Sequence, residues 1–518
     1  MPRLATRLSH VRDRAAGAGG SVTRVRAFAR EEPLLLAIVA CAAVAYAAYS
    51  LLRHHHLGSG TFDLGLHDQG MWHLSRFETP ESTLFATLVG SGPDVELGLP
   101  NLLGDHFSPI LALLAPLYWV WPDPRMLLIA QAVLIAVSAV PVFLYARPRL
   151  GRPGAHLIAL AYLSFWGTHA AVEYDFHELA FAPLFIALAI YWADLDRWKS
   201  CFAALALLLL TKEDSAVFLV FFGVYLLVLR RPRQAFAAIA AGVAWYALVV
   251  KLLIPHLAGG RDYNHWYYGR LGSDFPDALR NVVRHPGLPF SILVDPPEKT
   301  RTLLKLVVPF LGTIVYSPLL ILALFFILAN MLAADELEWS TQFHHWLAIA
   351  PVLAMGAADG LKNLIGWFGF GRRAMVVAAA AAAAIVVGNV ALAKRFPLWQ
   401  GLSAAVRGDV NIADAHEWQG LPGYEEAAGR AFDRVPAHSG SVAAQNELVP
   451  HLSARSRIHL IRPPFPAADY LVFHTSRGSP FPYKTVAEQQ RAIAPLRPRY
   501  DRIFAEKGFE VLRRKDVR

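Results

Sequence analysis

Apolar residues in this chain are gathered into blocks rather than scattered. Leu34–Leu52, Met126–Tyr145, Ala235–Ile254 and Met375–Leu392 each approach twenty residues, and shorter blocks recur between them. A hydrocarbon core about 30 Å thick takes about 20 apolar residues of helix to cross. Inside it only helices and closed barrels satisfy their own backbone. With 55% apolar and 17% charged residues, a soluble globular fold fits the chain poorly. The sequence therefore predicts an all-α polytopic membrane protein.

Charge orients the spans, because Lys and Arg collect on cytoplasmic loops. Arg3, Arg7, Arg12, Arg14, Arg24, Arg26 and Arg30 put the N-terminus inside and make 53–107 an external loop. An arginine-rich arm of this length is too long for a signal peptide, so the first block is read as an uncleaved span. Pro109–Trp121 is too short to cross and is read as re-entrant or interfacial. The next block then delivers Arg147, Arg149 and Arg152 inside. Ala155–Trp166, Leu179–Trp192, Cys201–Leu210, Ala216–Leu229 and Ala235–Ile254 follow in alternation, with Arg230, Arg231 and Arg233 inside and 255–301 outside. Leu303–Ala333 reads as two spans broken near Ser317-Pro318, since proline disrupts a helix interior. Trp346–Ala358 and Met375–Leu392 flank cytoplasmic Lys362, Arg372 and Arg373, for about eleven spans in all. The net charge of +9 is thereby absorbed by topology, and no nucleic-acid partner is expected.

Three regions result: a basic cytoplasmic arm (1–32), a multi-span domain (33–393) and a soluble extracytoplasmic α/β domain (394–518). In the last, Tyr424–Val435 and Val486–Ala494 read as helices and Glu447–Leu452 as a short one. Ser441–Ala444, Arg457–Ile461 and Tyr470–His474 read as strands, with a hairpin around Lys507-Gly508. The domain has no glycine-rich phosphate loop, so docking or acceptor binding suits it better than independent catalysis. Cys41 and Cys201 lie in apolar blocks and read as packing residues.

Polar groups that are costly near a bilayer all fall on the external side. Asp63, His67, Asp68 and Gln69 stand in the first loop, and Asp105-His106 closes it. Glu173, Asp175, His177 and Glu178 fill the next turn, Lys212-Glu213-Asp214 caps another, and His344-His345 opens a later span. Any one such group can be a solvated turn, but ionisable residues gathered at membrane level mark a pathway or a site. A sugar transferase needs a carboxylate to take the acceptor proton and cations to stabilise the departing phosphate. Asp63 or Asp105 fits the first role, and Lys212, Arg261, Arg270 or a protonated histidine the second. Leu66, Met71, Leu74 and Phe77 form an apolar stripe that would let a helix lie flat on the bilayer. The stretch from Arg261 through Trp266, Tyr267 and Tyr268 to Arg270 suits either sugar stacking or an interfacial aromatic belt. His54-His55-His56 reads as a solvated interfacial patch, and no metal or cofactor is assigned.

The strings Phe62-Asp63-Leu64-Gly65 with Asp68-Gln69 and Trp72, Gly104-Asp105-His106-Phe107-Ser108-Pro109, Tyr174-Asp175-Phe176-His177-Glu178 and Thr211-Lys212-Glu213-Asp214 resemble an uncharacterised family of bacterial and archaeal membrane proteins. That family carries a domain-of-unknown-function label and is regarded as a remote relative of GT-C glycosyltransferases. The resemblance implies a GT-C-like fold in the inner membrane, a polyprenyl-phosphate-type sugar donor and hexosyl or pentosyl transfer to an extracytoplasmic glycan, lipid or protein. It also implies an acidic base in the first external loop, which by position is Asp63. Many GT-C enzymes carry an adjacent acidic pair there, whereas this chain has Asp63-Leu64, leaving Asp63, Asp68 and Asp105 as competing bases in that order. A transporter or lipid flippase is the main alternative, with groups nearer mid-membrane and internal repeats expected for it. A non-catalytic scaffold is the third.

Overall fold

The computed structural model describes residues 21–88, 101–263, 265–392, 423–463, 467–479 and 481–517. Most of the basic arm, residues 89–100 of the first loop and the expected domain boundary at 393/394 lie outside the described residues. Among those described, five helical segments are long and apolar enough to cross a bilayer: Pro33–His55, Arg125–Leu163, Pro232–Leu257, His344–Phe368 and Ala374–Leu392. Shorter apolar helices, among them Trp198–Leu209, Ser215–Val228 and Leu320–Met331, pack between them.

Arg125–Leu163 is a hairpin. Gly151 takes φ 71°, a left-handed conformation open to glycine, and the chain reverses there. Across the reversal the Phe143 and His156 rings meet at 4.7 Å, and the Tyr162 hydroxyl donates to the Ile135 carbonyl at 3.0 Å. A Cβ at Gly151 would lie 2.1 Å from Met375 Cε. The turn carries the arginines that the charge rule placed there. Arg147 and Arg152 bind buried Glu32 at 2.8 and 3.0 Å, and Arg149 binds Asp194 at 2.6 Å and Asp359 at 3.1 Å. Arg231 binds Asp196 at 2.8 Å on the same end of the bundle.

The break expected at Ser317-Pro318 is wider. Pro297–Val307 ends at Val308-Pro309, Leu311 and Gly312 are left-handed, and Leu320–Met331 resumes. Gly360 of the facing helix accommodates this turn, since a Cβ there would lie 2.0 Å from the Thr313 carbonyl oxygen.

At the opposite end sits a five-stranded sheet ordered β2-β1-β3-β5-β4. Its strands are β1 Val442–Ala444, β2 Ile458–Leu460, β3 Tyr470–His474, β4 Tyr500–Glu506 and β5 Phe509–Arg514. β1 runs parallel to β2 and β3, whereas β5 is antiparallel to β3 and β4. The sheet domain docks on the first loop, with Phe62 and Leu66 packed against the cluster containing Val449 and Leu460.

That docking corrects two expectations. The helix Leu66–Leu74 does not offer its apolar stripe to lipid, because Leu66 faces the sheet domain and Met71 is fully buried in the bundle core. Of the stripe, Phe77, 87% exposed, remains free to meet a bilayer, beside its ring neighbour Trp119. His54 is no solvated patch either: it is buried, stacks on His451 at 4.0 Å and bonds Ser59, while His56 pairs with Glu425 at 2.9 Å.

Candidate active site

Asp63 sits in a single wide turn, Thr61–Gly65, entered through Gly60. The turn is held from both sides. Asn446 of the sheet domain accepts from the Thr61 amide at 3.2 Å and takes the Thr61 hydroxyl on its carbonyl at 2.9 Å. From the bundle, Asp175 accepts the Gly60 amide at 2.7 Å and is itself paired to Arg53 at 2.6 Å. The Tyr174 hydroxyl lies close enough to the Asp63 carboxylate to favour its charged form. Burial pushes the Asp63 carboxyl up to about 6; Tyr174 and His67 oppose the rise, and the charges of Asp175 and Glu178 add to it. A carboxylate so tuned is a serviceable proton acceptor near neutral pH.

His67 lies one helical turn on. Its Nδ1 contacts the Asp63 carbonyl at 2.7 Å and its Nε2 the Glu178 carboxylate at 3.0 Å. Burial disfavours charge on both partners, yet their mutual contact raises the His67 pKa and lowers that of Glu178. His177 reaches Glu178 at 3.2 Å and stacks on His344 at 3.7 Å; His344 stacks on His345 at 4.5 Å, which binds Glu338 at 3.2 Å. A continuous histidine–carboxylate row thus runs from Asp63 to Glu338.

Lys212 stands beside this row. Burial works against its ammonium, but Asp214, Glu213, Glu178 and Glu338 outweigh it and hold the pKa above the ordinary lysine range. Glu213, fully buried, accepts from the Phe107 amide at 3.1 Å and the Tyr263 hydroxyl at 3.0 Å, and contacts His106 at 2.8 Å. Asp105 contacts His265 at 3.0 Å. A cavity of about 400 Å³ opens next to these groups. Its polar end is formed by His177, Lys212, Asp214, Glu338, His344 and His345, and its walls by Ile186, Phe218, Phe221, Phe325, Phe326, Trp266 and Tyr268. Asp63 is one layer away, joined to the rim through His67, whose ring lies 5.7 Å from His177.

The family of predicted membrane proteins labelled DUF2079 matches residues 53–473, the stretch that holds all these groups. The chain belongs to the DUF2079 family. No curated protein matches it. Among solved structures it is similar to ArnT from Cupriavidus metallidurans bound to undecaprenyl phosphate, at TM-score 0.50 and 13% identity, covering 93% of this chain and 98% of that one. It is also similar to the Archaeoglobus fulgidus oligosaccharyltransferase, tethered with an acceptor peptide (TM-score 0.38, 11% identity, 95% and 75% covered) and in the apo form (0.36, 13%, 82% and 64%). The ArnT likeness shows a GT-C-like fold.

Within this DUF2079 chain the residues picked from sequence divide into two groups. Asp63, His67, His177, Glu178, Lys212, Asp214, His344 and His345 line the cavity or the row leading to it, Asp175 holds the Asp63 turn, and Asp105, His106 and Glu213 lie alongside. Glu173 is half-buried at the end of the helix Trp166–Glu173. Asp68 and Gln69 face elsewhere. Asp68 is fully buried and accepts from Tyr118 at 2.6 Å and Ser453 at 2.7 Å. Gln69 donates to Thr83 and the Ser456 carbonyl and accepts from Ser82. Both therefore fasten the loop to the sheet domain. Arg270 is committed to Asp295 at 2.6 Å, and Arg261 is exposed with its guanidinium over Phe85. Arg53, Tyr174 and Glu338 were not picked out; for Arg53 the available signal was a lone cation closing the first apolar block.

Proposed function

We propose that this protein is a membrane glycosyltransferase that moves a sugar from a polyprenyl-phosphate-type donor to a hydroxyl acceptor, with Asp63 as the base. The observation that carries the proposal is a single cavity whose one end holds a charged lysine among histidines and whose walls are phenylalanines. That combination suits a lipid with an anionic head better than a soluble solute. The buried His344 Nδ1, unpartnered among the described residues, adds a polar atom at the head end. Donor headgroup and sugar lie against Lys212, His344 and His345, and the chain runs along Phe218, Phe221, Phe325 and Phe326.

In the reaction the acceptor oxygen attacks the anomeric carbon while Asp63 takes its proton. The anomeric C–O bond breaks, its electron pair stays on the phosphate, and polyprenyl phosphate departs. Lys212 stabilises the charge gathering on that phosphate. The neighbouring Tyr174 hydroxyl favours the charged form of the base, and the His67–Glu178 pair fixes the turn that carries it.

The acidic end faces outward in this reading, because Arg147, Arg149, Arg152, Arg230, Arg231 and Arg233 share the other end with Lys362. The protein then sits in the plasma membrane with residues 1–32 inside and 394–518 outside, the sheet domain helping to receive the acceptor. Polar groups crowd one end and the core between the ends is apolar, which favours surface chemistry over transport.

The test uses nanodisc-embedded protein and a host lipid extract carrying tritiated polyprenyl-phosphate sugars, with release of polyprenyl phosphate as readout. Asp63→Asn should lower the rate at least about a hundredfold, within the usual range for a general base. Equal rates for wild type and Asp63→Asn would overturn the assignment.

A further inference from the structure

We propose a second site on this protein: a zinc-class divalent metal held by Asp105, His106 and His265. One nitrogen from each imidazole and a carboxylate oxygen of Asp105 already lie within 4.8 Å of one another. A tetrahedral zinc with arms of about 2.0–2.1 Å needs donors about 3.3 Å apart, so an ion would draw the set together by at most about 1.5 Å. His265 Nε2 and Asp105 Oδ1 are 3.0 Å apart, and the two imidazoles stack at 4.4 Å.

The surroundings have the form of a ligand-orienting shell. His106 spends Nδ1 on Glu213 at 2.8 Å, and His265 spends Nδ1 on the Tyr267 hydroxyl at 2.9 Å, leaving Nε2 on each ring for an ion. Glu213 is in turn fixed by Tyr263 and the Phe107 amide. A carboxylate or hydroxyl behind each ligating imidazole sets its tautomer and basicity. The backbone is built for this meeting as well. Asp105-His106 follows the tight turn Leu102–Gly104, where neighbouring side chains need not diverge as they do on a strand. A Cβ at Gly104 would lie 2.7 Å from the Ala258 amide nitrogen, so glycine there lets the loop carrying His265 come close.

Two imidazoles and one carboxylate favour zinc over magnesium or calcium, which prefer all-oxygen shells. Three protein ligands leave the fourth position for water or an anionic oxygen. From sequence no metal is assigned, because a sequence does not show which distant groups converge; His265 lies 160 residues from Asp105.

Untagged full-length protein in detergent, stripped by chelator, is titrated with Zn²⁺ in a calorimeter and with Co²⁺ by visible absorption. Wild type should take one equivalent and give the intense Co²⁺ bands of a tetrahedral site. His265→Ala and His106→Ala should weaken binding more than tenfold, and Glu213→Gln about tenfold as an orienting group. His55→Ala, at an exposed histidine, should bind as wild type does. Melting temperatures of all variants are compared to exclude misfolding. No bound equivalent, or His265→Ala binding like wild type at an unchanged melting temperature, would overturn the site. Binding is read without turnover, so this result is independent of the transferase proposal.

Discussion

Asp68 stands five residues from Asp63, yet the structure gives it a different task, and its substitution separates the two. Its carboxyl is fully buried between Tyr118 and Ser453, and burial pushes its pKa up to about 7, against the hydrogen bonds from both hydroxyls. An aspartate in an unfolded chain titrates near 3.9, so the shift is about 3 pH units, or an upper bound of about 4 kcal/mol. The folded form binds the proton more tightly. Its contribution to stability is therefore complete below about pH 4 and is lost as pH rises through about 7. Asp68→Asn keeps the shape, still accepts from Tyr118, donates to Ser453 and carries no charge to bury. Asp68→Ala instead strands the buried Tyr118 hydroxyl, at about 1–3 kcal/mol, and leaves Ser453 only the Pro450 carbonyl. Melting is followed by tryptophan fluorescence in detergent from pH 5 to 8. The expected order at pH 8 is Asp68→Asn at or above wild type and Asp68→Ala well below, with the Asn variant flatter in pH. Transfer activity should survive in Asp68→Asn. Equal destabilisation by Asn and Ala would refute the burial reasoning, and a stable but inactive Asn variant would return Asp68 to the list of bases.

Other consequences are as direct. Because the Asp63 carboxyl titrates at about 6 and acts deprotonated, kcat/KM should rise tenfold per unit below that pH and level off above it; a flat profile from pH 5 to 8 would contradict the role. Asn446→Ala removes the side-chain oxygen that accepts from the Thr61 amide, while the backbone carbonyl still takes the Thr61 hydroxyl, so kcat should fall modestly at constant donor KM, and parallel changes in both would contradict a positioning role. Arg149→Ala removes the ion pairs to part-exposed Asp194 and to Asp359, which keeps its Ser317 hydrogen bond, and should cost about 1–3 kcal/mol, read as a melting shift. Gly360→Ala forces the helix away from the Thr313 carbonyl and should lower stability by about 1–3 kcal/mol, read as a melting shift.

Local signals carried much of this fold. Arginines flanking Gly151 marked the hairpin because topology is written in loop charge, and the strand Tyr470–His474 was visible as a short β-branched and aromatic run. The site was legible only in outline. Asp63, His177, Lys212 and His344 stood out as ionisable groups at the ends of apolar blocks, which a single chain displays. Asp68 has the same appearance, and only its partners Tyr118 and Ser453, 50 and 385 residues away, reveal that it is a fastener. The apolar stripe from Leu66 to Phe77 misled for the same reason, since periodicity reports an apolar face without naming what covers it. Glu338 joins the histidine row through His345, a contact that no spacing encodes.

The central claim is that the cavity beside Lys212 receives a lipid phosphate, and native mass spectrometry of the intact protein tests it most directly. Equal amounts of undecaprenyl phosphate and undecaprenol are offered to wild type and to Lys212→Met. The account predicts that wild type prefers the phosphate at least about tenfold, about 1.4 kcal/mol, and that Lys212→Met loses the preference while still binding the undecaprenyl chain. Equal binding of the two lipids by wild type, or an unchanged preference in Lys212→Met, would contradict it.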